Sequence, residues 1–589
     1  MCGICGIYGL GDKKLIKRMA DAIRHRGPDG DGYYVGDGIS LGHRRLSIID
    51  LKTGGQPIYN EDGSVVVVYN GEIYNYLEVK QDLVKKGHRF STKTDTEILV
   101  HAYEEYGERF IERLNGIFAF AVYDSDKKVL LLARDRMGTK PLFYMESEGK
   151  LLFASEIKAI LQYSEIGRQI DREGLNSYLA FGSVLGERTL FKGIRKLRPG
   201  HLLKYDGRTV HIEKYFSRKD VIVQRDEQAS ASALRKLLEK SVESQLMSDV
   251  PLGAFLSGGI DSSTVVGIMS KIIDRPVETF TVGFGRHDDE LKYAKLVSDH
   301  FGTSHHELMV SPDDVPAVFA RLVWHYDDLI WDAAAVPTYF VSELARKHVT
   351  VVLTGEGADE LFAGYNRYKP FSENFWFVPF FIKKAGYDFS AHVFGRAERK
   401  SLTGEAANYS EKIQDEYFYK GKDLNSALRF DQEEILPNQL LSKVDRASMA
   451  AGLEARVPIL DNTIIDFSDS IPPTLKSRGM IGKVILKMAA SDLVPAEIIK
   501  RKKRGFGASA LQWFNDKSMK DYALNILDDP HMTDEIKLPS LNSLLDFESA
   551  KVARNKEKKA YQMWTLLELE MWYRTFIEND GSAYLRRSV

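Results

Sequence analysis

The sequence predicts two domains of different class, a strand-rich N-terminal half and a C-terminal half in which strands and helices alternate. Three observations carry that prediction. Before residue 215, short apolar runs with Gly-rich punctuation read as strands: Val65–Tyr69, Phe118–Tyr123, Val129–Ala133, Leu151–Ala154 and His201–Tyr205. Beyond residue 230, strand-like runs at Leu252–Leu256, Thr279–Phe284 and Val349–Leu353 are interleaved with helical periodicity at Ala231–Leu246 and Ser262–Ser270. Between the two lies the polar stretch Ser217–Ser230, which reads as a linker. The expected division is therefore 2–215, a linker at 216–230, and 231–589. From about residue 430 the pattern is mostly helical and ends in the aromatic, amphipathic run Ala560–Ile577.

Composition narrows the function classes. The 589 residues carry 81 Lys+Arg and 83 Asp+Glu, so no basic field is available for nucleic acid or an anionic membrane. Apolar residues make up 44% and charged residues 28%, which is ordinary globular usage. No run reaches the ~18–20 apolar residues of a membrane span, and the N-terminus lacks the pattern of a secretory signal. A cytoplasmic location is the expectation. The longest strongly apolar run, Phe375–Ile382, is expected to be a buried or lid-forming element, with attachment to a partner or membrane as its alternative.

The two cysteines, Cys2 and Cys5, are too few for a disulfide framework or a four-thiolate metal site. Cys5 reads as a small packing residue in a Gly-Ile-Cys-Gly-Ile strand. Cys2 stands where an N-terminal nucleophile lies once Met1 is removed, with its own α-amine as base. Downstream come Arg24-His25-Arg26-Gly27-Pro28-Asp29-Gly30, Gly42-His43-Arg44-Arg45-Leu46-Ser47-Ile48, Asn70-Gly71-Glu72-Ile73-Tyr74-Asn75 and Thr94-Asp95-Thr96-Glu97. With Cys2-Gly3-Ile4, this ordered set resembles the class II glutamine amidotransferases. The resemblance implies an α+β Ntn-hydrolase sandwich in which Cys2 attacks the glutamine amide. Such attack creates an oxyanion that needs preorganised donors. Asn70 and Gly71, expected at the end of the strand Val65–Tyr69, match the family's donors. The substrate's carboxylate and ammonium call for a guanidinium and an acid. In the family those roles fall on the residues matching Arg45 and Asp95, with Glu72 and Asn70 completing the glutamine pocket.

A second motif opens the C-terminal half. Leu256-Ser257-Gly258-Gly259-Ile260-Asp261-Ser262-Ser263 follows an apolar strand and precedes helical periodicity. Glycines let backbone N–H groups form an anion nest, and a helix N-terminus adds its positive end. No Gly-Lys-Ser/Thr element follows, so this is not a Walker A loop. A second acidic, Gly-rich turn, Thr354-Gly355-Glu356-Gly357-Ala358-Asp359-Glu360, follows Val349–Leu353. Two such turns are what the carboxyl edge of a parallel sheet offers a nucleotide. SGGIDSS resembles the PP-loop of N-type ATP pyrophosphatases, which implies an α/β domain that adenylates a carboxylate and releases pyrophosphate. The same resemblance assigns Asp261 and Asp359 to Mg²⁺–pyrophosphate, Glu356 to the reaction centre, and the strand holding Val282 and Gly283 to adenine. Mg²⁺ prefers carboxylate and phosphate oxygens.

Further pieces complete the pattern: Leu440–Arg446, Glu454–Asp461, Ile481–Lys487 and Lys502–Gly507. The whole chain thus resembles the glutamine-dependent asparagine synthetase family. The resemblance implies that Lys483 stabilises the adenylation chemistry, that Lys503 meets pyrophosphate, and that ATP and Mg²⁺ are used. The implied partners are small molecules (glutamine, ATP and aspartate), with no nucleic acid; a homodimer is compatible with it. Because free ammonia would be lost to solvent, the two sites are expected to share an enclosed path. The alternatives are a relative acting on another carboxylate such as a uronic acid, a β-lactam-forming relative, which would not need the complete glutaminase set, and a non-catalytic scaffold, which would be expected to have lost Cys2, Asp261 or Glu356. The aromatic insertion Phe371–Asp388 is where the chain departs most from a standard synthetase.

Overall fold

The computed structural model describes residues 1–218, 223, 226–284, 290–405, 409–503, 505, 507, 509–539 and 553–578. Part of the expected linker, together with Arg504 and Phe506 of the last motif, lies outside the described residues.

Twelve strands build the N-terminal half. They are β1 (Gly3–Tyr8), β2 (Gly30–Gly36), β3 (Ile39–Arg45), β4 (Ile58–Tyr59), β5 (Val65–Ile73) and β6 (Gly116–Asp124), followed by β7 (Val129–Arg134), β8 (Phe143–Ser147), β9 (Lys150–Ala154), β10 (Arg195–Lys196), β11 (His201–Tyr205) and β12 (Val210–Lys214). They form two six-stranded sheets, ordered β10-β8-β9-β1-β3-β2 and β12-β11-β7-β6-β5-β4. The period-2 alternation of β1 explains the layering. Ile4 joins Leu41, Val68, Ala121 and Phe153 in an apolar layer drawn from both sheets, whereas Cys5 and Ile7 pack with Leu15 and Met19 of the helix Lys13–Ala22. Over the second sheet, Tyr69, Phe118 and Phe120 pack with Leu83 and Leu99 of the helices Tyr76–Lys85 and Ile98–Tyr106. Helix, sheet, sheet and helix form the expected α+β sandwich. Cys5 is fully buried, as a packing residue should be.

The C-terminal half is built on β13 (Leu252–Phe255), β14 (Glu278–Gly283), β15 (Ser304–Met309), β16 (Val351–Leu353) and β17 (Glu454–Arg456). All pairings are parallel, and the order is β15-β14-β13-β16-β17. The winding runs outward from β13 in one direction and from β16 in the other, so the topological switch point lies between those two neighbours. Both Gly-rich turns found in the sequence leave this pair.

Three sequence expectations need correcting. The first helix of this half spans Glu227–Gln245, because Asp226 accepts from the Ala229 N–H and caps it, so the helix takes in the end of the expected linker. The mostly helical region hides the fifth strand, β17, whose charged ends mask it. Phe375–Ile382 is not buried: Trp376 is 82% exposed and Phe381 71%. Of the helix Phe380–Ala391 that follows, only Tyr387 is fully buried, its hydroxyl donating to Asp431, so the apolar stripe faces outward.

The two halves share cores. Met1, Leu46 and Ile48 pack with Leu436 and Val457, and Tyr178 of the helix Arg172–Phe181 donates to Glu568 (3.0 Å) on the helix Ala553–Trp572. Among the described residues, no helix is long and apolar enough to cross a membrane.

Candidate active sites

Cys2 sits immediately before β1, at the domain interface. Its backbone N–H donates to Asn70 Oδ1 (3.1 Å), and its carbonyl accepts from Arg26 Nε (3.1 Å). Burial pushes the Cys2 thiol up, while the terminal amine, the Leu46 backbone and Arg45 pull it down. The Met1 amine pairs with Glu454 Oε2 at 2.9 Å. Met1 is itself buried beside Leu46, Ile48 and Tyr74, so its removal would both free the Cys2 amine and open space next to the thiol.

Asn70 and Gly71 lie within β5, not at its end, because β6 pairs with β5 all the way to Ile73. A Cβ on Gly71 would collide with Ile117 O and come within 2.7 Å of Phe118 Cα, so only glycine fits. With Oδ1 engaged by Cys2, the Asn70 Nδ2 is a buried donor without a partner. An orphaned amide donor beside a thiol is available to a developing oxyanion.

Asp95 is also buried. Its Oδ2 accepts from Tyr69 Oη and Ile73 N, each at 2.9 Å, which pins the strand on both sides of Asn70-Gly71-Glu72. Burial raises the Asp95 carboxyl. Glu72 is raised well above its usual range by burial, against the pull of Arg456, which lies 3.2 Å from Oε1; Oε2 has no hydrogen-bond partner. The Arg45 guanidinium, near enough to act on the Cys2 thiol, donates to the carbonyls of Asp50 (2.6 Å), Ile49 (3.3 Å) and Leu51 (3.4 Å). Sequence reasoning quoted His43 without assigning it. The structure buries it beside Tyr69 and holds it neutral, with burial and Arg45 lowering its pKa to about 3.

The second constellation lies at the switch point. Leu256 to Gly259 leave β13 and enter the helix Ile260–Ile272. Gly258 takes φ +63° and a Cβ there would strike Tyr293, so glycine is required. The Ser257 N–H donates to Ser262 Oγ (3.3 Å), and Ser263 Oγ is buried without a partner. Across the switch point, Gly355 brings the loop after β16 close: a Cβ on it would lie 2.7 Å from Ser262 N and 2.8 Å from Asp261 Cβ. Val282 and Gly283 end the neighbouring β14, where Phe280 O accepts from Leu256 N (2.9 Å). Thr354 N donates to Arg456 O (2.9 Å), which ties this loop to β17.

Lys483 links the two carboxylates, with Nζ 2.6 Å from Asp261 Oδ2 and 2.8 Å from Asp359 Oδ1. Lys503 Nζ lies 2.6 Å from Asp359 Oδ2. Burial would raise Asp359, but the two lysines bring it down to about 2. Asp261 is raised by burial, which Lys483 only partly offsets, and its Oδ1 has no partner. Two carboxylates in the first turns of helices that open on the switch point, each with a buried oxygen lacking an aligned hydrogen bond, fit a hard cation that also binds phosphate oxygens. Burial raises Glu356, with Lys443 and Lys503 opposing. Glu360, which sequence reasoning left unassigned, is raised to about 7 by burial and by Asp359. Positive charge is therefore local, at Lys483 and Lys503.

The known proteins this chain matches follow the same division. A glutamine amidotransferase domain model matches residues 1–216 and an asparagine synthase model matches 233–574. Glutamine-hydrolysing asparagine synthetase 1 of Bacillus subtilis (strain 168) is 34% identical, over 98% of this chain and 97% of that one. Synthetase 3 of the same organism is 30% identical, over 91% and 93%. Synthetase 2 of Oryza sativa subsp. japonica is 31% identical, over 90% and 81%. With both domains matched and the first of these relatives aligned almost from end to end, the chain belongs to the family of glutamine-hydrolysing asparagine synthetases.

Proposed function

We propose that the chain hydrolyses glutamine at Cys2 and uses the ammonia to convert an aspartate, activated by ATP as its β-aspartyl adenylate, into asparagine, with AMP, pyrophosphate and glutamate as the other products. The observation that carries this reading is the pairing of a thiol-and-orphan-amide site in one half with a lysine-bridged carboxylate pair at the switch point of the other.

In the first half-reaction, the Cys2 α-amine, free once Met1 is lost, takes the thiol proton. The sulfur then attacks the amide carbon, while Asn70 Nδ2 and the Gly71 backbone receive the oxyanion. Glu72, Asp95 and Arg45 bind the two ends of glutamine, Arg45 with the N–H groups that the carbonyls of Ile49, Asp50 and Leu51 do not take. In the second, the loop from Leu256 to Ser263 cradles the phosphates, and Lys483 and Lys503 offset the charge that builds as pyrophosphate departs. Val282 and Gly283 flank the base, Thr354 and Gly355 help to bind ATP, and Glu356 stands at the reaction centre. Asp261 and Asp359 would hold Mg²⁺, which supplies further charge neutralisation on the phosphates. The two sites meet at β17. Arg456 reaches Glu72 with its side chain and Thr354 with its carbonyl, and both Arg456 and Glu454 are buried. This places buried contacts, rather than an open solvent cleft, between the two proposed sites along that strand.

The test is an AMP-release assay with ATP and a set of carboxylates, aspartate first. The expected result is aspartate-dependent AMP release that Cys2→Ala abolishes with glutamine but not with ammonium. AMP release with a uronic acid and none with aspartate would overturn the acceptor, and loss of both activities in Cys2→Ala would overturn the two-site arrangement.

A further inference from the structure

Away from both sites, four ligand-type side chains converge at the edge of the N-terminal domain. Glu61, His88, His101 and Glu104 each offer an atom, and these atoms all lie within 4.8 Å of one another. Glu61 follows β4, and His88 follows the helix Tyr76–Lys85. His101 and Glu104 lie three residues apart on the helix Ile98–Tyr106 and so share a face. His101 Nδ1 is 3.0 Å from Glu61 Oε2, and His88 Nδ1 is 3.3 Å from Glu61 Oε1. His101 is only 1% exposed, yet neither of its ring nitrogens makes an aligned hydrogen bond. A buried imidazole in an ordinary ion pair would direct an N–H along a carboxylate lone pair.

A tetrahedral ion with ligand bonds of ~2.0–2.1 Å spaces its ligand atoms about 3.3–3.4 Å apart. The His101 Nδ1–Glu61 Oε2 separation of 3.0 Å is close to one such edge, and the other ligand atoms, all within 4.8 Å, would draw in on binding. Behind His101, Nε2 faces Glu97 Oε1 at 3.6 Å. Glu97 is buried and held by the N–H groups of Ser91 and Thr92, each at 2.7 Å, and by both their hydroxyls. A fixed carboxylate behind an imidazole is the arrangement that orients a metal-ligating histidine and sets its tautomer.

We propose that Glu61, His88, His101 and Glu104 form a zinc site, with Glu97 as the carboxylate behind His101. Two imidazoles and two carboxylates suit Zn²⁺ better than Mg²⁺ or Ca²⁺, which take all-oxygen shells, and the two negative charges balance the ion. The site would join the turn after β4, the turn at His88 and the helix carrying His101. The stretch between His88 and His101 also bears Asp95, so the ion would brace the segment that pins β5, whatever reaction the chain catalyses.

The test uses the full chain in a Cys2→Ala background, so that the thiol does not compete. Protein stripped with a chelator is loaded with zinc chloride and desalted, and its zinc is measured by elemental analysis alongside thermal unfolding. The expected result is about one zinc per chain and a raised melting temperature. His88→Gln and Glu104→Gln, at half-buried and exposed positions where the fold should tolerate them, are each expected to weaken retention by about tenfold or more and to abolish the thermal shift. No retention by the parent protein would overturn the proposal. So would retention unchanged in both variants, or retention lost only in His306→Gln, since Glu278, His306 and His348 form the other such group among the described residues.

Discussion

Asn70→Asp isolates the oxyanion donor from everything else Asn70 does. The side chain is fully buried, its Oδ1 accepts from the Cys2 N–H at 3.1 Å, and its Nδ2 has no partner. Aspartate has nearly the same shape and keeps the acceptor but loses the donor, whereas Asn70→Ala loses both. One oxyanion donor contributes about 10²–10³ in kcat, or ~2.7–4 kcal/mol. Both variants should therefore lose that factor in glutamate release. Asn70→Asp should be at least as impaired as Asn70→Ala, because a buried carboxyl beside Glu72 opposes a developing oxyanion. Both variants should also lose stability: Asn70→Ala leaves the Cys2 N–H unpaired at a cost of about 1–3 kcal/mol, and Asn70→Asp keeps that bond but buries a carboxyl beside Glu72. The assay follows glutamate release with glutamine and AMP release with ammonium, since the second site lies in the other domain. If Asn70→Asp keeps more than roughly a tenth of the glutaminase rate, well above the loss an oxyanion donor explains, the assignment of Nδ2 fails.

Two further perturbations test other parts of the structure. At Gly364 a Cβ would collide with Asp359 Oδ1 and Lys483 Cε, so Gly364→Ala should push apart the lysine-bridged pair. AMP formation should fall by about two orders of magnitude while glutamate release survives, and near-normal AMP formation would refute that geometry. Lys476 is 3% exposed, and burial lowers its pKa to about 8. The folded value lies below that of the unfolded chain, so Lys476 destabilises the fold below pH 8 and ceases to do so as pH rises towards 10.5. Lys476→Met should raise the melting temperature at pH 7, by up to ~3 kcal/mol in stability, and the gain should shrink at pH 10; a gain independent of pH would refute the cause.

The legible part of the fold was local. Strands such as Phe118–Tyr123 and Val129–Ala133 alternate or run apolar because both faces are covered, and the Gly-rich turns marked where β13 and β16 end. What failed depended on partners far away in sequence. β5 continues through Asn70-Gly71 only because β6 pairs with it and Gly71 has no Cβ to strike Phe118. The apolar run Phe375–Ile382 predicts a buried or lid-forming element; burial fails because Asp431 anchors Tyr368 and Tyr387 from behind, leaving the stripe outside. In the sites, residue types were readable from motif chemistry, but engagement was not. Arg45 has the guanidinium expected of a carboxylate fork, yet three of its five N–H groups point to the carbonyls of Ile49, Asp50 and Leu51.

β17 shows the same limit most clearly, and also how the two halves touch. Alternation along Glu454-Ala455-Arg456 sends both charged side chains to one face and Ala455 to the core on the other. The charged face meets the N-terminal domain. Arg456 donates to Glu454 (2.6 Å) and to the carbonyls of Gln245 and Met247, each at 2.7 Å, and its remaining nitrogen reaches Glu72. A lysine could not satisfy four acceptors in that fan, because it lacks the planar fork. The counter-charge that keeps Glu72 from being a wholly uncompensated buried carboxyl thus belongs to the synthetase half, and removing one partner of such a pair costs about 3–5 kcal/mol. Because Arg456 O also receives the Thr354 N–H, one residue touches both the loop after β16 and Glu72, the side chain proposed for the glutamine pocket. A three-residue strand thus belongs by hydrogen bonding to the switch-point sheet and by side chain to the N-terminal half.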